Sequence, residues 1–415
     1  TPSPDRIPVD CAVAGPCGGC SLRHLDYAAE LRAKQENVAD AFARIGGLDV
    51  PVLPIVGSPE VNRYRNKVQF PVGVDKSGKP CIGFYAGRTH RIVPCPDCRL
   101  QPGVLNEIGN ALCAFFAEKG IQPYSEETGR GLVRHIFLRR GAHSGQIMVC
   151  LVCTRAKLPS AEELCTRLKA QFAEITTILL NVNAKNTNVI LGTETHTLYG
   201  PGCIADSLRG VPVQLGPLSF YQVNTLAAEQ LYGIAAQYAQ LTPDDLLLDL
   251  YCGMGTIGLS MAAHCRELIG VEIVPEAIES AKANAARMGA DVAAKSRFFC
   301  ADAGQAATRL AAEGLHPDIV MLDPPRKGCD EATLSAVVRM SPRRVVYVSC
   351  NPATAARDAA WLEQNGYHAE KVQPVDLFPR TRHCEAVLLL TKLNVERHIE
   401  VDVSMDELDV TAAES

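Results

Sequence analysis

The sequence predicts an α/β protein whose second half is a doubly wound, mostly parallel sheet, preceded by an α+β domain. After about residue 217, apolar stretches alternate with segments of helical periodicity, as is typical of strands joined by crossover helices. Strands are expected at 246–250, 268–272, 297–300, 318–322, 345–349 and 384–391. Asp249, Asp323 and Cys350 lie at or next to the ends of three of them, and ligands bind at the carboxyl ends of strands in such sheets.

The first half of the chain predicts a mixed α+β domain that follows a short segment rich in Cys, Gly and Pro. Asp26 to about Ile45 has apolar residues at helical spacing and stops at two glycines, which predicts a helix. Further helices are expected around 103–118 and 160–172, and short strands at 67–74, 82–85, 134–139, 146–153, 177–182 and 189–191. The predicted domains are residues 1–215 and 216–394, followed by an acidic tail at 395–415.

Composition predicts a globular protein without a membrane span. Of its 415 residues, 47% are hydrophobic and 21% are charged, and no apolar stretch approaches the roughly 20 residues that a span needs. The amino terminus lacks the basic and then apolar pattern of a signal peptide. The 17 cysteines are an odd number, and many lie in apolar segments. Together these features predict a reducing, cytoplasmic location.

The net charge of −5 is concentrated at the end of the chain. Seven acids and one arginine in residues 395–415 give this segment a net charge of −6, so the rest of the chain has a net charge of +1. Such a balance permits local basic groups that bind phosphates, although a single group of this kind is more often a solvated surface. These groups are Arg63, Arg65 and Lys67; Arg88 and Arg91; Arg130, Arg134, Arg139 and Arg140; Arg326 and Lys327; and Arg343 and Arg344.

A cofactor site is predicted where the first strand of the second half ends. Asp249 lies near that end, and Gly253 and Gly255 allow the backbone to turn close to a ligand. A Gly-x-Gly turn alone is a weak indication. Glu272 ends the next strand about 20 residues later, a spacing that suits a carboxylate bound to ribose hydroxyls. Both NAD and S-adenosylmethionine fit these residues.

Two later strand ends decide between the cofactors. Asp323 is followed by two prolines, which hold it in an extended turn. Cys350 follows a β-branched strand and precedes a predicted helix start, Asn351-Pro-Ala-Thr, where a thiol is expected to have a lowered pKa. The alternatives are a helix cap for Asp323 and an inert buried thiol for Cys350. An Asp-Pro-Pro turn and a strand-end cysteine have no role in hydride transfer, so S-adenosylmethionine is favoured over NAD.

Three motifs of the second half resemble those of the RNA uracil-C5 methyltransferases, which form 5-methyluridine in ribosomal and transfer RNA. They are Asp323-Pro-Pro-Arg-Lys-Gly, Tyr347-Val-Ser-Cys350-Asn-Pro-Ala-Thr and His383-Cys-Glu385-Ala-Val. The resemblance extends upstream through Phe220-Tyr-Gln222-Val-Asn and Leu250-Tyr251-Cys-Gly-Met-Gly, and it covers essentially the whole chain. It implies a Rossmann-like S-adenosylmethionine-dependent methyltransferase domain behind an N-terminal iron–sulfur and RNA-binding domain.

The resemblance also implies a role for each site residue. Cys350 is expected to add to C6 of uracil, which turns C5 into a nucleophile toward the methyl group. Glu385 is expected to be the general base that removes the C5 proton. Asp323 is expected to contact both uracil and the cofactor, and Arg326 and Lys327 to meet the RNA backbone. The remaining cofactor contacts implied by similarity are Gln222, Tyr251, Glu272 and, near adenine, Asp302.

The N-terminal cysteines predict a metal site of one of two kinds. The pairs Cys17/Cys20 and Cys95/Cys98 have the CxxC spacing of a structural zinc site. The family pattern instead implies that Cys11, Cys17, Cys20 and Cys98 hold a 4Fe–4S cluster. A third CxxC, Cys150 and Cys153, lies on a predicted strand, where positions i and i+3 point to opposite faces. We therefore expect that last pair to be core residues.

Together these features predict an S-adenosylmethionine-dependent RNA uridine-C5 methyltransferase. The iron–sulfur motif resembles the ribosomal members, so 23S rRNA is the expected partner and the protein is expected to be a monomer. One alternative is a methyltransferase that acts on transfer RNA. Another is a non-catalytic RNA-binding protein on the same fold, which the presence of Cys350, Glu385 and Asp323 disfavours. An amino-methyltransferase would need an aromatic residue after the two prolines, where this chain has Arg326.

Overall fold

The computed structural model of the chain describes residues 3–87, 89–185 and 188–393. Within these ranges the strands form two seven-stranded sheets and one two-stranded hairpin. The predicted acidic tail at 395–415 and one member of the basic groups, Arg88, lie outside the described residues.

The first half of the chain builds a mostly antiparallel sheet. Its strand order is β3-β2-β1-β4-β5-β6-β7, and only β5 and β6 pair in parallel. The elements are helices α1 (Ala14–Cys17), α2 (Tyr27–Asp40), α3 (Gly103–Glu118) and α4 (Ala161–Gln171), and strands β1 (Lys67–Val74), β2 (Pro80–Tyr85), β3 (Ile92–Pro94), β4 (Val133–Arg140), β5 (Ile147–Cys153), β6 (Ile175–Val182) and β7 (Glu194–Tyr199).

Most of the elements predicted for this half are present, and the exceptions have physical causes. The predicted helix from Asp26 is α2, which continues as a π-helical turn, Ala41–Gly46. The strand predicted at 189–191 is wrong, because these residues have no regular structure. The true edge strand, β7, was missed because its residues are largely polar and exposed.

Strand β5 is buried on both faces, which separates its two cysteines. Cys150 and Cys153 are both fully buried. Cys150 belongs to the hydrophobic core that this sheet shares with the second half of the chain, whereas Cys153 belongs to the core under α3 and α4. The two thiols thus face opposite sides of the sheet, and the prediction that they are core residues is confirmed.

The second half builds the predicted doubly wound sheet. Strands β8 (Ile204–Leu208) and β9 (Val211–Leu215) form a hairpin that precedes it. The sheet contains β10 (Leu246–Leu250), β11 (Glu267–Glu272), β12 (Ser296–Cys300), β13 (Ile319–Leu322), β14 (Arg344–Ser349), β15 (Tyr367–Val375) and β16 (Glu385–Lys392). Its helices are α5 (Thr225–Ala239), α6 (Thr256–Met261), α7 (Pro275–Met288), α8 (Ala290–Lys295), α9 (Ala303–Ala312), α10 (Glu331–Met340) and α11 (Pro352–Gln364).

The order of this sheet is β12-β11-β10-β13-β14-β16-β15, and its first five strands are parallel. Residues of α5, α6 and α7 pack on one face, and residues of α9, α10 and α11 pack on the other. The predicted α/β class is confirmed.

Strand β15 was not predicted, because charged residues, a bulge after Ala369 and Pro374 interrupt its apolar alternation.

The N-terminal helix α2 packs with the second sheet. Val38 and Phe42 belong to the same core as β10, β13 and α11. Residues Val52 and Val56 form bridges to Val372 and Val375 of β15. Residues 27–56 thus cross the domain boundary that the sequence predicts near residue 215. Among the described residues, no helix combines the length and apolar character needed to cross a membrane.

Candidate active site

The carboxyl ends of three neighbouring strands meet at one edge of the second sheet. In the parallel register, Leu250 of β10 lies beside Leu322 of β13, and Leu322 lies beside Tyr347 of β14. The antiparallel strand β16 enters at the same edge, with Ala386 opposite Ser349. Cys350 and Glu385 are the next residues beyond this pair, and the charge of Glu385 raises the pKa of Cys350, so the two side chains are close to each other. Asp323 follows Leu322 directly, so the three predicted reactive side chains share one crevice.

The turn after β10 has the backbone conformation that a close ligand approach requires. Gly253 and Gly255 have φ values of 55° and 79°, in the left-handed region that glycine adopts without strain. Tyr251 has a φ of 65°, which is strained for a non-glycine residue. A Cβ atom on Gly255 would lie 3.1 Å from Leu259 and 3.2 Å from Ala281, so the turn also packs tightly against α6 and α7.

Two acids at adjacent strand ends organise this turn. Glu272 accepts hydrogen bonds from the backbone N–H of Gly253 at 3.1 Å and of Val274 at 3.0 Å. Asp249 is 1% exposed and accepts one from Gly258 at 3.0 Å through Oδ2. Its Oδ1 is buried and has no partner among the described residues. Burial raises the pKa of Asp249 to about 8, so this carboxyl holds a proton near neutral pH.

The other predicted cofactor contacts lie around the same turn, with different surroundings. The Tyr251 hydroxyl is 3.3 Å from Thr333 Oγ1, which anchors its ring against α10. The backbone carbonyl of Gln222 accepts a hydrogen bond from Asn66 at 2.8 Å, which ties this segment to the first sheet. Asp302 caps α9 by accepting from the N–H of Gln305 at 3.1 Å, so one of its oxygens has a structural role.

Burial changes the protonation of the reactive carboxyls. It raises the pKa of Asp323 to about 7. Burial also raises the pKa of Glu385 to about 8, with a further increase from the negative charge of Asp323 and an opposing effect of Arg326. A buried acid whose pKa is raised further by a neighbouring negative charge is typical of a site built for proton transfer.

The pKa of Cys350 contradicts the sequence prediction. The thiol lies next to α11, whose first residue is Pro352, but its pKa is raised above the ordinary value of 9.0. The largest cause is burial, and the negative charges of Glu385 and Asp323 follow. The helix N-terminus was expected to lower the pKa, but burial and two neighbouring carboxylates outweigh it.

Replacing Glu385 by glutamine is therefore expected to lower the pKa of Cys350, because one negative charge beside the thiolate disappears. The measurement is the pH dependence of Cys350 alkylation by iodoacetamide in the protein without substrate, followed on the Cys350 peptide by mass spectrometry. The midpoint of the wild-type profile should lie above pH 9.0, and that of Glu385→Gln should lie at a lower pH than in wild type. Glu370→Gln, an exposed change on β15, is the control. Coincident profiles for wild type and Glu385→Gln would contradict this electrostatic account.

A buried acid that the sequence analysis did not single out holds the loop after Asp323. Asp358 is 1% exposed and accepts hydrogen bonds from the N–H of Cys329 at 2.8 Å and from the Tyr347 hydroxyl at 2.6 Å. A Cβ atom on Gly328, whose φ is 79°, would lie 2.6 Å from the same carboxylate. An acid on the apolar face of α11, among buried alanines and Leu362, is the signal that indicates this role.

Beside the crevice, Arg326 and Lys327 have exposed side chains, as expected of residues that meet a polyanion. The backbone carbonyl of Arg326 accepts hydrogen bonds from Asn351 Nδ2 at 3.0 Å and from Thr354 Oγ1 at 3.3 Å. The loop that carries the two cations is thus fixed to the residues that follow Cys350.

A second basic group lies where the first sheet meets the segment that carries Gln222. Lys67 lies opposite Arg139 across β1 and β4, and Lys67 has no ion pair among the described residues. Burial, together with the charges of Arg139 and Arg65, lowers the pKa of Lys67 to about 8. Arg139 is 1% exposed and donates to the carbonyls of Gly216 and Ser219, both at 2.7 Å. Three cations without a paired carboxylate form an electropositive site next to the crevice.

The N-terminal cysteines converge although they are far apart in sequence. The pKa of Cys17 is raised by burial and by the charges of Cys98, Cys20 and Cys11, and it is lowered by a backbone N–H from Gly19. The Cys98 sulfur accepts hydrogen bonds from the Cys95 thiol and from two backbone N–H groups, which lower its pKa. All 17 cysteines are free thiols. Across residues 3–87, 89–185 and 188–393, however, no group of three or more His, Cys, Asp or Glu side chains is arranged to hold a metal ion.

Comparison with known proteins gives a consistent result. Residues 143–393 match the family model described as tRNA (uracil-5-)-methyltransferase. The chain is 42% identical over 391 residues to an uncharacterized RNA methyltransferase of Clostridium tetani, covering 94% of this chain and 84% of that protein. It is 43% identical over 393 residues to another from Halalkalibacterium halodurans, covering 94% and 85%.

Among solved structures, the chain is similar to the Pyrococcus abyssi tRNA (uracil-54, C5)-methyltransferase in complex with S-adenosyl-L-homocysteine. The TM-score is 0.75 at 26% identity, and the match covers 94% of this chain and 87% of that one.

Proposed function

Since the chain belongs to the RNA (uracil-5-)-methyltransferase family and is an S-adenosylmethionine-dependent enzyme of that family, we propose that it methylates C5 of a specific uridine through a covalent adduct on Cys350. The observation that carries this proposal is the position of Cys350 across from Glu385, with Asp323 at the adjacent strand end. A non-catalytic RNA-binding protein has no use for a thiol beside the buried Glu385 and the half-buried Asp323, and an amino-methyltransferase would leave Cys350 idle.

Each chemical step has a residue in the crevice. The Cys350 thiol first releases its proton to water, and the thiolate forms a bond to C6 of the uracil ring while the electron pair of the C5–C6 bond moves toward C5 and O4. S-adenosylmethionine, when bound, would supply the electrophilic methyl group to C5, and S-adenosylhomocysteine would be its leaving group. The Glu385 carboxylate then removes the proton from C5, the C5–C6 double bond re-forms and the sulfur of Cys350 leaves. Asp323 contacts polar atoms of the ring and keeps Glu385 basic through its negative charge.

The residues around the turn after β10 fit the cofactor. The buried oxygen of Asp249 without a partner among the described residues and the open position of Gly253 support a polar ligand close to the backbone here. Glu272 holds the turn and retains lone pairs for ribose hydroxyls. The proposed contacts are Gln222, Tyr251, Glu272, Asp302 and Asp323.

The proposed RNA substrate is 23S rRNA, which is supported by the cysteine motif of residues 11–20 and 98. The basic group of Lys67, Arg65 and Arg139, and the exposed Arg326 and Lys327, provide positive charge on both sides of the crevice. We assign RNA and cluster binding to residues 1–215 and methyl transfer to residues 216–394. Seventeen free thiols support a reducing, cytoplasmic location, where the protein acts as a monomer.

The alternative substrate is transfer RNA, which is favoured by the activity named for the similar Pyrococcus abyssi enzyme. Mapping 5-methyluridine in RNA from cells with and without the gene distinguishes the two. Loss of the modified base from a 23S rRNA position, with unchanged transfer RNA, is the expected result. Loss from transfer RNA alone would assign the alternative, and no loss from any RNA would contradict the proposed function.

A 4Fe–4S cluster is the proposed metal group of the N-terminal residues. Cys11, Cys17, Cys20 and Cys98 would hold it as thiolates, with a structural or RNA-binding role. The mutual charge effects of these four sulfurs support their proximity, which Cys95 shares, and two backbone N–H groups donate to Cys98. Cys95, which is 3% exposed and donates its thiol proton to Cys98, acts as a neighbour of the site.

Protein purified without oxygen is expected to be brown, to absorb broadly at about 400 nm and to contain about four irons. Cys98→Ser should lose the absorbance and the iron, because a ligand is missing. Cys95→Ser, the matched control three residues earlier in the same loop, should keep both. A colourless protein that contains one zinc and is equally sensitive to the two changes would contradict the cluster and establish the zinc site.

A further inference from the structure

Three charged side chains are buried together beneath the start of β16, and we name them the buried lysine cluster. Lys34 and Glu30 belong to α2, and Asp376 follows β15 directly. Lys34 is 2% exposed, and the two acids are fully buried. Lys34 Nζ donates to Glu30 Oε1 and to Asp376 Oδ1, both at 2.8 Å. Burying three charges costs more than burying apolar side chains of similar volume, so the cluster is not explained by fold stability alone.

The buried lysine cluster fixes the loop between β15 and β16. Lys34 also donates to the carbonyl of Phe378 at 3.2 Å, and the N–H of Phe378 donates to Asp376 at 3.1 Å. The N–H of Arg380 donates to Glu30 at 2.7 Å. Tyr27 of the same helix donates its hydroxyl to Asp376 at 2.9 Å. Each carboxylate of the cluster thus binds both a side chain and the loop backbone.

Residues just before α2 hold the rest of this loop. The N–H of Leu22 donates to the carbonyl of Arg380 at 3.0 Å, and the Arg380 side chain donates to the carbonyl of Leu25 at 2.9 Å. The N–H of Arg382 donates to Ser21 Oγ at 3.1 Å. Arg380 has a φ of 69°, a conformation that a non-glycine residue keeps only when its surroundings impose it.

The fixed loop leads directly into the proposed general base. Residues 376–384 connect the two strands, and Glu385 is the first residue of β16, paired with Val375 at the end of β15. Glu385 is therefore joined to the cluster in two ways: along the chain through the loop 376–384, and across the sheet through Val375, the neighbour of Asp376. A shift of the loop would move the carboxylate relative to C5 of the bound uracil.

We propose that the buried lysine cluster is a positioning device for Glu385, so that Glu30, Lys34 and Asp376 control elimination of the Cys350 adduct without touching the substrate. This inference rests on the proposed function. It predicts that damage to the cluster slows removal of the C5 proton selectively, whereas addition of Cys350 to C6 and methyl transfer to C5 proceed.

Two RNA substrates separate these steps. RNA with 5-fluorouridine at the target traps the enzyme after methyl transfer, because fluorine at C5 cannot leave as a proton. Uridine RNA reports the complete turnover. For Glu30→Ala, we expect trapping at close to the wild-type rate and a turnover on uridine RNA lowered by about 10- to 100-fold, with the protein–RNA adduct accumulating.

The same chain offers matched controls. Glu30→Gln keeps an oxygen that accepts from Arg380 and Lys34, and it is expected to restore most of the turnover that Glu30→Ala loses. Arg32 lies on the same helix as Glu30, and Arg32→Ala removes only an exposed ion pair with Asp5. This variant should behave as wild type. If Glu30→Ala does not fold, Asp376→Asn takes its place, because it removes the acceptor of the Tyr27 hydroxyl and keeps one oxygen for Lys34.

The outcomes are distinct. An equal loss of trapping and turnover in Glu30→Ala would mean a general structural role and overturn the inference, and so would unchanged turnover. If instead wild type itself is not trapped by 5-fluorouridine RNA, the proposed covalent function fails, and the inference fails with it for that separate reason.

Discussion

Replacement of Cys350 by alanine is expected to abolish methyl transfer, with a fall in turnover on the order of 10⁴- to 10⁶-fold, as for removal of an essential nucleophile. C5 of uracil is a poor nucleophile until a thiolate adds to C6, and the other thiols near this edge of the sheet, Cys252, Cys329 and Cys384, are buried. The measurement is incorporation of labelled methyl groups into RNA, together with covalent trapping by 5-fluorouridine RNA. Both should be lost.

The matched control is Cys203→Ala, which removes a half-buried thiol far along the chain from the second sheet. It should methylate and trap as wild type. Binding of S-adenosylmethionine by Cys350→Ala should also be unchanged, since the proposed cofactor contacts lie around the turn after β10. Methylation by Cys350→Ala at a rate near that of wild type would refute the assignment of the nucleophile.

Replacement of Glu385 by glutamine is expected to have a different consequence. Glutamine keeps the shape of a side chain that is 7% exposed, but it cannot accept a proton from C5. Addition and methyl transfer proceed, and elimination is slowed by about 10²- to 10⁴-fold. A protein–RNA adduct should therefore accumulate on ordinary uridine RNA, visible as a shifted band under denaturing conditions.

The pH dependence of elimination is a second test of Glu385 as the general base. The pKa of Glu385 is raised to about 8, so its ionised fraction, and with it the rate of adduct breakdown in wild type, should increase as the pH rises toward 8. Glu370→Gln, an exposed change on the neighbouring strand, should leave this profile intact. Absence of an adduct in Glu385→Gln, combined with near-normal turnover, would place the base elsewhere.

The chemistry of the second sheet could be predicted from sequence because it is local. Each reactive side chain directly follows or begins an apolar strand, so the strand pattern alone places Asp323 and Cys350 at one edge. Glu385 needed the family resemblance, because only the antiparallel register of β16 brings it across from Cys350. Strand β15 was missed for the reason that its alternation is broken by charges, a bulge and a proline.

The sequence did not indicate the buried lysine cluster or the raised pKa of Cys350, because both depend on contacts between residues that are distant in the chain. The sequence around Lys34 does not indicate that its Nζ lies 2.8 Å from Asp376 Oδ1, a residue more than 300 positions away. The raised pKa of Cys350 likewise depends on two carboxyls from other strands, whereas the local sequence offers only a helix N-terminus. Local patterns predicted the elements and the reactive groups, and tertiary contacts decided how those groups ionise and what holds them.

The central claim is that the enzyme exchanges the C5 proton of a uridine for a methyl group, and tritium release tests it most directly. RNA transcribed with [5-³H]uridine is incubated with the enzyme and S-adenosylmethionine carrying a ¹⁴C-labelled methyl group. The account predicts one equivalent of tritium released to water for every methyl group transferred. Methyl transfer without tritium release would show that another atom is methylated and would contradict the account.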